Sequence, residues 1–450
     1  MKIRFGDSTR KLRGSPMGGV LALVTGSAAG QALALLSAPL LSRLYAPDAF
    51  GIFSYLFSVS AVLTAIASFR YEQAVPLARN LDEARALTRA SLSLAAGFAI
   101  VTAGVVAVWH TPFSHAVGFE VLPWAWWLPA LIVLTSWFNT LTQAAIRQRA
   151  YSAIAATTFM QNVGVATGQL GFAAFTRSAG GLLSGQLVGR SFGILALAKT
   201  SRELLPRPPR GTLRATARKF WRFPAVLAPS ALLNTLGTSL PLILIGAWFG
   251  PQAAGFLGLT QRIAMAPTAL VAVAVGQVFS GELSSRLRAG QIDNRRLYLR
   301  TSCRLATGGL AVAVVLLLIS DWAFPIILGS RWANSGGYAQ AIALSVGAGF
   351  VVSPVSFVFI AYQRVVSNIV VDLSRVLLVA GLGAIAYFIG LSAVHTVWAM
   401  TIGQVVNYAL TWAMGLVIVR GRHPSKWRRR PGPNTTLPEP GRTSLDKHGG

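Results

Sequence analysis

Three arginines, Arg190, Arg262 and Arg375, stand within long apolar stretches of the chain, where a permanent positive charge has no ordinary place. A guanidinium presents its N–H donors in a planar fork that matches phosphate or carboxylate oxygens two at a time, so an unpaired one in a dry setting suits an anion. Near the middle of a bilayer such a residue costs about 2.5–3.5 kcal/mol on insertion scales and must face protein or a hydrated cavity. Arg190 and Arg262 have no acid one helical turn away: Gln186 is the i−4 neighbour of the first, and Gln261 precedes the second. They are the leading substrate-binding candidates, with Gln186 and Gln31 as amide companions. The competing reading is that carbonyls or an acid from another stretch neutralise each arginine, which then only joins helices. Arg375 follows Asp372 by three residues on one helical face, so an ion pair and a structural role are expected there, with cargo binding as the alternative.

Of the thirteen acidic residues, only Glu72 and Asp372 lie in or at the edge of an apolar stretch. With Arg70 they are candidates for gating, or for coupling to an ion or proton gradient. The plainer reading of Arg70 and Glu72 is a snorkelling arginine beside a solvated glutamate. A membrane-embedded hydrolase or glycosyltransferase needs convergent carboxylates, or a nucleophile beside a base. No such constellation is visible, and no catalytic residue or cofactor is expected. His110, His115, His395, His423 and His448 sit in gaps, at a stretch end or on the tail, and Cys303 is the single cysteine. Neither pattern has metal-ligand spacing or supports a disulfide framework, so no metal site is expected.

These residues have to be positioned by membrane helices. The chain is 53% hydrophobic and 12% charged, with a mean hydropathy of +0.56, far from the balance of a soluble domain. Apolar stretches near the roughly 20 residues needed to cross a bilayer fall at 18–44, 49–69, 88–109, 121–144, 151–175 and 179–198, then at 223–249, 253–279, 301–319, 338–361, 368–390 and 393–419. Thirty-four of the 40 Lys and Arg residues lie on the two tails and on alternate gaps, while the opposite gaps hold only Arg43, Arg177 and Arg331. The positive-inside rule therefore predicts about twelve transmembrane helices with both termini cytoplasmic. The net charge of +27 is spread over loops and tails instead of one reading surface, which argues against nucleic acid as a partner. Membrane lipids with anionic headgroups are the expected contacts of such loops.

The segment 199–222 holds Pro206, Pro208 and Pro209 among eight basic residues and reads as a cytoplasmic linker. It divides the chain into a basic tail at 1–17, a first six-helix lobe at 18–198, a second at 223–419, and a proline-rich, disordered tail at 420–450. An internal repeat supports the division. PDAFGIF from Pro47 is matched by PQAAGFL from Pro251, an offset of 204, and the same offset takes Gln73 to Gln277. Two six-helix lobes of equal orientation are related by an axis along the membrane normal. Glycines four apart, at Gly26 and Gly30, Gly164 and Gly168, and Gly181, Gly185 and Gly189, read as helix-packing seams. Asn and Gln residues within the stretches, among them Gln161, Asn162, Asn234 and Asn407, serve as interhelical hydrogen bonds or line a hydrated cavity compatible with sugars.

The runs GQALALLSAPLLSRLYAPDAFGIFSY, FRYEQAVPLAR and GFLGLTQRIAMAPTALVAVAVGQVFSGELS resemble the Wzx-type oligosaccharide flippases of the MOP superfamily. These are polysaccharide biosynthesis proteins related to the MATE drug exporters and the lipid II flippases. The resemblance covers the membrane portion to about Val419. It implies two six-helix lobes in a V, spans 1 and 7 at the lobe interface, and a central cationic cavity. Through that cavity an undecaprenyl-pyrophosphate-linked oligosaccharide would cross the bacterial inner membrane. Arg262 falls on the family's basic position in span 8, and Arg70 with Glu72 on its RYE motif. Span 1 carries no cation before Arg43, whereas the lipid II flippases place arginines earlier in that helix, and this weakens a lipid II assignment.

The resemblance thus points to a transporter and not an enzyme. A lipid-linked oligosaccharide is the implied cargo, and a polysaccharide polymerase and assembly proteins are candidate partners. A MATE-like multidrug or metabolite exporter is the alternative, although cationic drugs would call for buried carboxylates where this chain offers cations. A glycan polymerase would need a large external loop bearing catalytic residues, and no gap is that long. A non-transporting assembly scaffold is the remaining class.

Overall fold

The computed structural model describes residues 16–117, 122–291 and 293–420. The side chains of His110 and His115, the basic tail to residue 15 and the tail from 421, with His423 and His448, lie outside the described residues, as does the expectation of disorder there. All regular structure among the described residues is helical. The amino-terminal set comprises α1 (Pro16–Leu44), α2 (Pro47–Ala67), α3 (Leu81–Val117), α4 (Trp127–Arg147), α5 (Tyr151–Phe172) and α6 (Ala179–Thr200). The stretch Ala228–Arg288 is broken at Gly250 (φ 84°, ψ −179°) and forms two helices, α7 (228–249) and α8 (251–288). The carboxyl-terminal set continues with α9 (Arg295–Leu328), α10 (Ser335–Val355), α11 (Val365–Phe388) and α12 (Ala393–Arg420). Eight helical segments among the described residues are long and apolar enough to cross a bilayer, one of them running through the Gly250 break. The chain is a multi-pass membrane protein.

The break at Gly250 follows from local chemistry. Its backbone lies where a side chain would clash, and Pro251 restricts the residue before it and opens the next helix. Pro47 likewise sits in the first turn of α2, with Asp48 beside the positive end of the helix dipole. Several elements depart from the sequence expectation. Helices α3 and α9 run for 37 and 34 residues, past the apolar stretches at both ends, and their polar first turns account for the extension at the start. The stretch at 121–144 divides into Leu122–Ala125 and α4, and that at 338–361 into α10, whose last turn contains Pro354, and Phe357–Ala361. The linker contains a short helix, Thr212–Lys219, held against α3 by a Lys219–Glu83 ion pair.

In lipid, apolar side chains gain little by leaving their surroundings, so helices associate through close backbone approach and interhelical hydrogen bonds. The glycine seams behave in this way. A Cβ at Gly164 would stand 3.0 Å from the Gly189 Cα, and one at Gly168 3.0 Å from the Gly185 Cα, so α5 and α6 meet backbone to backbone. Gly26 and Gly30 seat α1 against Ala155 and Asn162 of α5.

The broadest contact between the two sets is that of α2 with the α7–α8 pair. Its centre is reciprocal: Gly51 abuts the Pro251 carbonyl, and Gly255 abuts the Pro47 carbonyl. Residue i meets j′ while j meets i′, the signature of a two-fold relation, and it joins the very positions that the 204-residue offset equates. The family resemblance placed spans 1 and 7 at the interface. They do border it, through Tyr55 against Gly246 of α7 and through Trp332 Nε1 donating to the Ser42 carbonyl at 2.8 Å, but the closest approach belongs to α2 and α8. One apolar core joins both sets here, with Phe50, Phe256 and the fully buried Trp332 at its centre. Each set has further buried clusters of its own.

Candidate binding cavity between the two helix sets

Beyond the reciprocal contact α2 and α8 diverge, and a cavity of about 540 Å³ opens between the sets. Arg262 reaches it because Pro251, Gly255, Gly258 and Arg262 follow one another at helical spacings of four, three and four along one face of α8. Gly255 and Gly258 seat that face on α2, Gly258 against Ser54, and the next residue on the stripe is the arginine. On α6 the glycine face packs against α5, while Gln186 and Arg190, one turn apart, line the cavity. Gln31 of α1, Gln161 and Asn162 of α5, Ser58 of α2 and Thr238 of α7 complete its polar wall.

Two cations therefore face a single space from different helix sets. Among the described residues no acidic side chain lines it, and neither Arg190 nor Arg262 has a carboxylate within 4.0 Å. The buried Nε of Arg190 has no hydrogen-bond partner among the described residues. Its guanidinium carbon stands 6.0 Å from the ring centre of Phe57, a cation–π contact that orients the group without neutralising it. An unneutralised guanidinium pair flanked by amides and hydroxyls attracts an anion with hydrogen-bonding groups attached.

The other candidates are placed elsewhere. Arg375 lies outside the cavity, buried, with Nε donating to Asn407 Oδ1 at 3.2 Å and its guanidinium carbon 5.8 Å from the Tyr408 ring. Its expected ion pair with Asp372 is not formed, although the two are one turn apart on α11. The side chains diverge: Arg375 crosses to α12, while Asp372 turns to α7 and accepts from Asn234 Nδ2 at 3.2 Å and from Asn368 Nδ2 at 3.1 Å. Arg70 and Asp372 instead line a second pocket, of about 240 Å³, with Gln73 and Asn234. Glu72 is buried, not solvated, and accepts from Ser68 Oγ. Among the described residues no group of three or more His, Cys, Asp or Glu side chains is placed to hold a metal ion.

Sequence reasoning passed over Phe57, Ser58 and Thr238. The repeat carried a signal for Ser58, which the offset of 204 equates with Arg262. Phe57 and Thr238 are ordinary membrane-helix residues by type, and nothing in their spacing marks them.

The fold has structural counterparts in the MOP superfamily. The fold is similar to that of the lipid II flippase MurJ in an inward closed conformation, with a TM-score of 0.63 at 13% identity over 89% of each chain. It is also similar to an outward-facing MATE multidrug resistance transporter of the MOP superfamily, at 0.60 and 14% identity over 94% of this chain and 99% of that one. A MOP superfamily transporter from Pyrococcus furiosus, described as having a binding pocket of reverse polarity, matches at 0.57 and 14% identity over 92% and 98%. At these identities the likeness establishes the fold. Residues 40–336 match the polysaccharide biosynthesis protein family, and the chain belongs to that family. It is 25% identical over 202 residues to the teichuronic acid biosynthesis protein TuaB of Bacillus subtilis, a match spanning 45% of this chain and about two-fifths (41%) of that relative.

Proposed function

We propose that this protein is a flippase that moves an undecaprenyl-pyrophosphate-linked oligosaccharide from the cytoplasmic to the periplasmic leaflet of the bacterial inner membrane. The observation that carries this reading is the cavity, lined by no acid among the described residues, in which Arg190 and Arg262 face one space from the two helix sets. A pyrophosphate offers oxygens for two guanidinium forks at once, and the surrounding amides and hydroxyls suit sugar hydroxyls. The lipid tail stays in the bilayer while the charged head passes between the sets. Membership of a polysaccharide biosynthesis family and structural neighbours that include a lipid II flippase support the cargo class. Twelve helices cross the membrane with both termini cytoplasmic, as the distribution of basic residues requires. The sets rock about the α2–α8 contact, and cargo shifts the balance only through its different affinity for the two arrangements. Arg375 holds α11 to α12. Arg70, Glu72 and Asp372 serve the conformational change, or its coupling to an ion gradient.

A MATE-like exporter of soluble compounds is the second reading, favoured by a likeness to multidrug transporters at TM-scores of 0.59 and 0.60. The two unneutralised arginines oppose a cationic drug as its cargo. Reconstitution with a fluorescent lipid-linked oligosaccharide tests the choice. Arg262→Ala and Arg190→Ala should each slow flipping about 10- to 100-fold, as expected when a charged hydrogen bond of about 1.5–3 kcal/mol is removed. Flipping by both variants at the rate of the unaltered protein would show that the arginines do not hold the cargo.

A further inference from the structure

We propose that Arg70 and Asp372 form an electrostatic latch between the two helix sets, in which the Arg70 guanidinium exchanges Glu72 of its own set for Asp372 of the other as the sets rock. The inference rests on the alternating-access reading above, but it concerns a different place in the molecule. The second pocket has walls from both sets: Arg70 and Gln73 from the end of α2 and the turn after it, and Asn234, Asn368 and Asp372 from α7 and α11.

Each charged wall of this pocket is incompletely satisfied. Arg70 Nη1 stands 3.6 Å from Glu72 Oε1, a loose ion pair, and the buried Arg70 Nε has no hydrogen-bond partner among the described residues. Glu72 is already engaged at its other oxygen by Ser68 Oγ. Opposite them, Asp372 is 2% exposed and accepts from two neutral amides, with no described cation within 4.0 Å. The charge of Arg375 acts on this carboxylate from beyond 4.0 Å, but a buried carboxylate whose hydrogen bonds all come from neutral amides still has much to gain from a cation in direct contact. Arg375, its neighbour on α11, is committed to Asn407 and Tyr408. Arg70 is the cation among the described residues that line the pocket with Asp372.

The backbone at Arg70 also suits a switch. Phe69 and Arg70 have φ values of 50° and 60°, two successive non-glycine residues in the left-handed region. Such positions are strained and occur at switch segments, where the surroundings hold them in place. Here the strain lies between the end of α2 and the turn Tyr71–Leu77 that carries Glu72, so a small backbone change re-aims the guanidinium. One cation and two carboxylates on separately moving walls define two alternative pairings, and a two-state element needs no more than that.

The latch can be read without cargo. In the full chain with Cys303→Ser, spin labels at Arg89→Cys and Arg288→Cys, both exposed, report the separation of the two sets in nanodiscs. Asp372→Asn should change the ratio of the two inter-set distance populations about 3- to 10-fold, Glu72→Gln should change it in the opposite direction, and in the Arg70→Gln background Asp372→Asn should change it no further. Separately, Arg70→Cys with Asp372→Cys in the Cys303→Ser chain should cross-link under mild oxidant and leave one population. Asp372→Asn and Glu72→Gln preserve size while Arg70→Gln shortens the side chain, and melting temperatures near that of the unaltered protein confirm folding. Single variants without effect, a double variant equal to the product of the singles, or no cross-link would each overturn the proposal. Failure here leaves the cargo reading standing, whereas unimpaired flipping by Arg262→Ala and Arg190→Ala sinks that reading and leaves the latch intact.

Discussion

Along one stripe of α2, Pro47 and Gly51 hold the places that Pro251 and Gly255 hold on α8, and each glycine meets the other helix's proline carbonyl. Two turns beyond Gly51 stands Ser58, and at the equivalent position on α8 stands Arg262. The same two helices thus build a contact that is symmetric at one level and a cavity wall that is asymmetric at the next. Backbone approach places one steric demand on both partners, so the repeat retains glycine on both sides. Ligand binding, on the proposed function, would make no such demand, because one guanidinium from α8 is joined in the cavity by Arg190 of α6. Symmetry marks the scaffold, and its local failure marks the place where the proposed function puts the cargo.

The comparison breaks most readily at the contact itself. Gly51→Val and Gly255→Val each force a side chain into a backbone carbonyl that cannot move aside, at a cost of about 3 kcal/mol or more. Both should lose folded protein to a similar extent, measured as the monodisperse fraction in detergent. Unequal losses would show that the two-fold relation is approximate in energy as well as in sequence. One level along, Arg262→Lys should retain the charge but lose the fork and slow flipping about 10-fold without lowering the melting temperature. Transposing the cation sharpens the point, because Ser58→Arg combined with Arg262→Ser returns a guanidinium to the cavity from the opposite wall. It should flip faster than Arg262→Ser alone; equal rates would show that the cavity requires its cation on α8.

Smaller effects are expected away from both levels. Arg375→Met removes a buried donor to Asn407, and should lower stability by about 1–2 kcal/mol with little change in cargo affinity. A loss of affinity equal to that of Arg262→Ala would bring Arg375 back to the cargo. A Cβ added at Gly97 or Gly104 of α3 would meet nothing within 4 Å, so Gly97→Ala and Gly104→Ala should alter stability by less than about 1 kcal/mol, through helix propensity alone. If those changes match the damage of Gly51→Val, glycine content and not the reciprocal contact governs folding.

Much of the scaffold was legible in advance. Apolar length predicts the helices, the glycine spacings predict packing seams on α1, α5 and α6, and the offset of 204 equates two stretches that the structure then brings into contact. Arg190 and Arg262 were legible as candidates because burial of an unpaired cation is costly wherever it occurs. The Arg375 pairing was misjudged for a physical reason. Helical spacing makes two side chains neighbours but does not say which other helices compete for them, and Asn407 and Asn234 proved the nearer partners. Phe57 had no sequence signal, since an orienting ring beneath a guanidinium looks like any lipid-facing phenylalanine until α2 and α6 are brought together.

The sequence by itself determined what must be solved: long apolar helices, a repeated proline and glycine stripe, and cations placed where lipid cannot accommodate them. Those properties are local, following from the bilayer's thickness, from backbone sterics and from the cost of a charge in hydrocarbon. Only the tertiary structure decided that Arg190 and Arg262 share one cavity, that Arg375 does not, and that Arg70 and Asp372 line one pocket. Those relations depend on how helices distant in sequence cross, and crossing is settled by which glycine seats against which backbone.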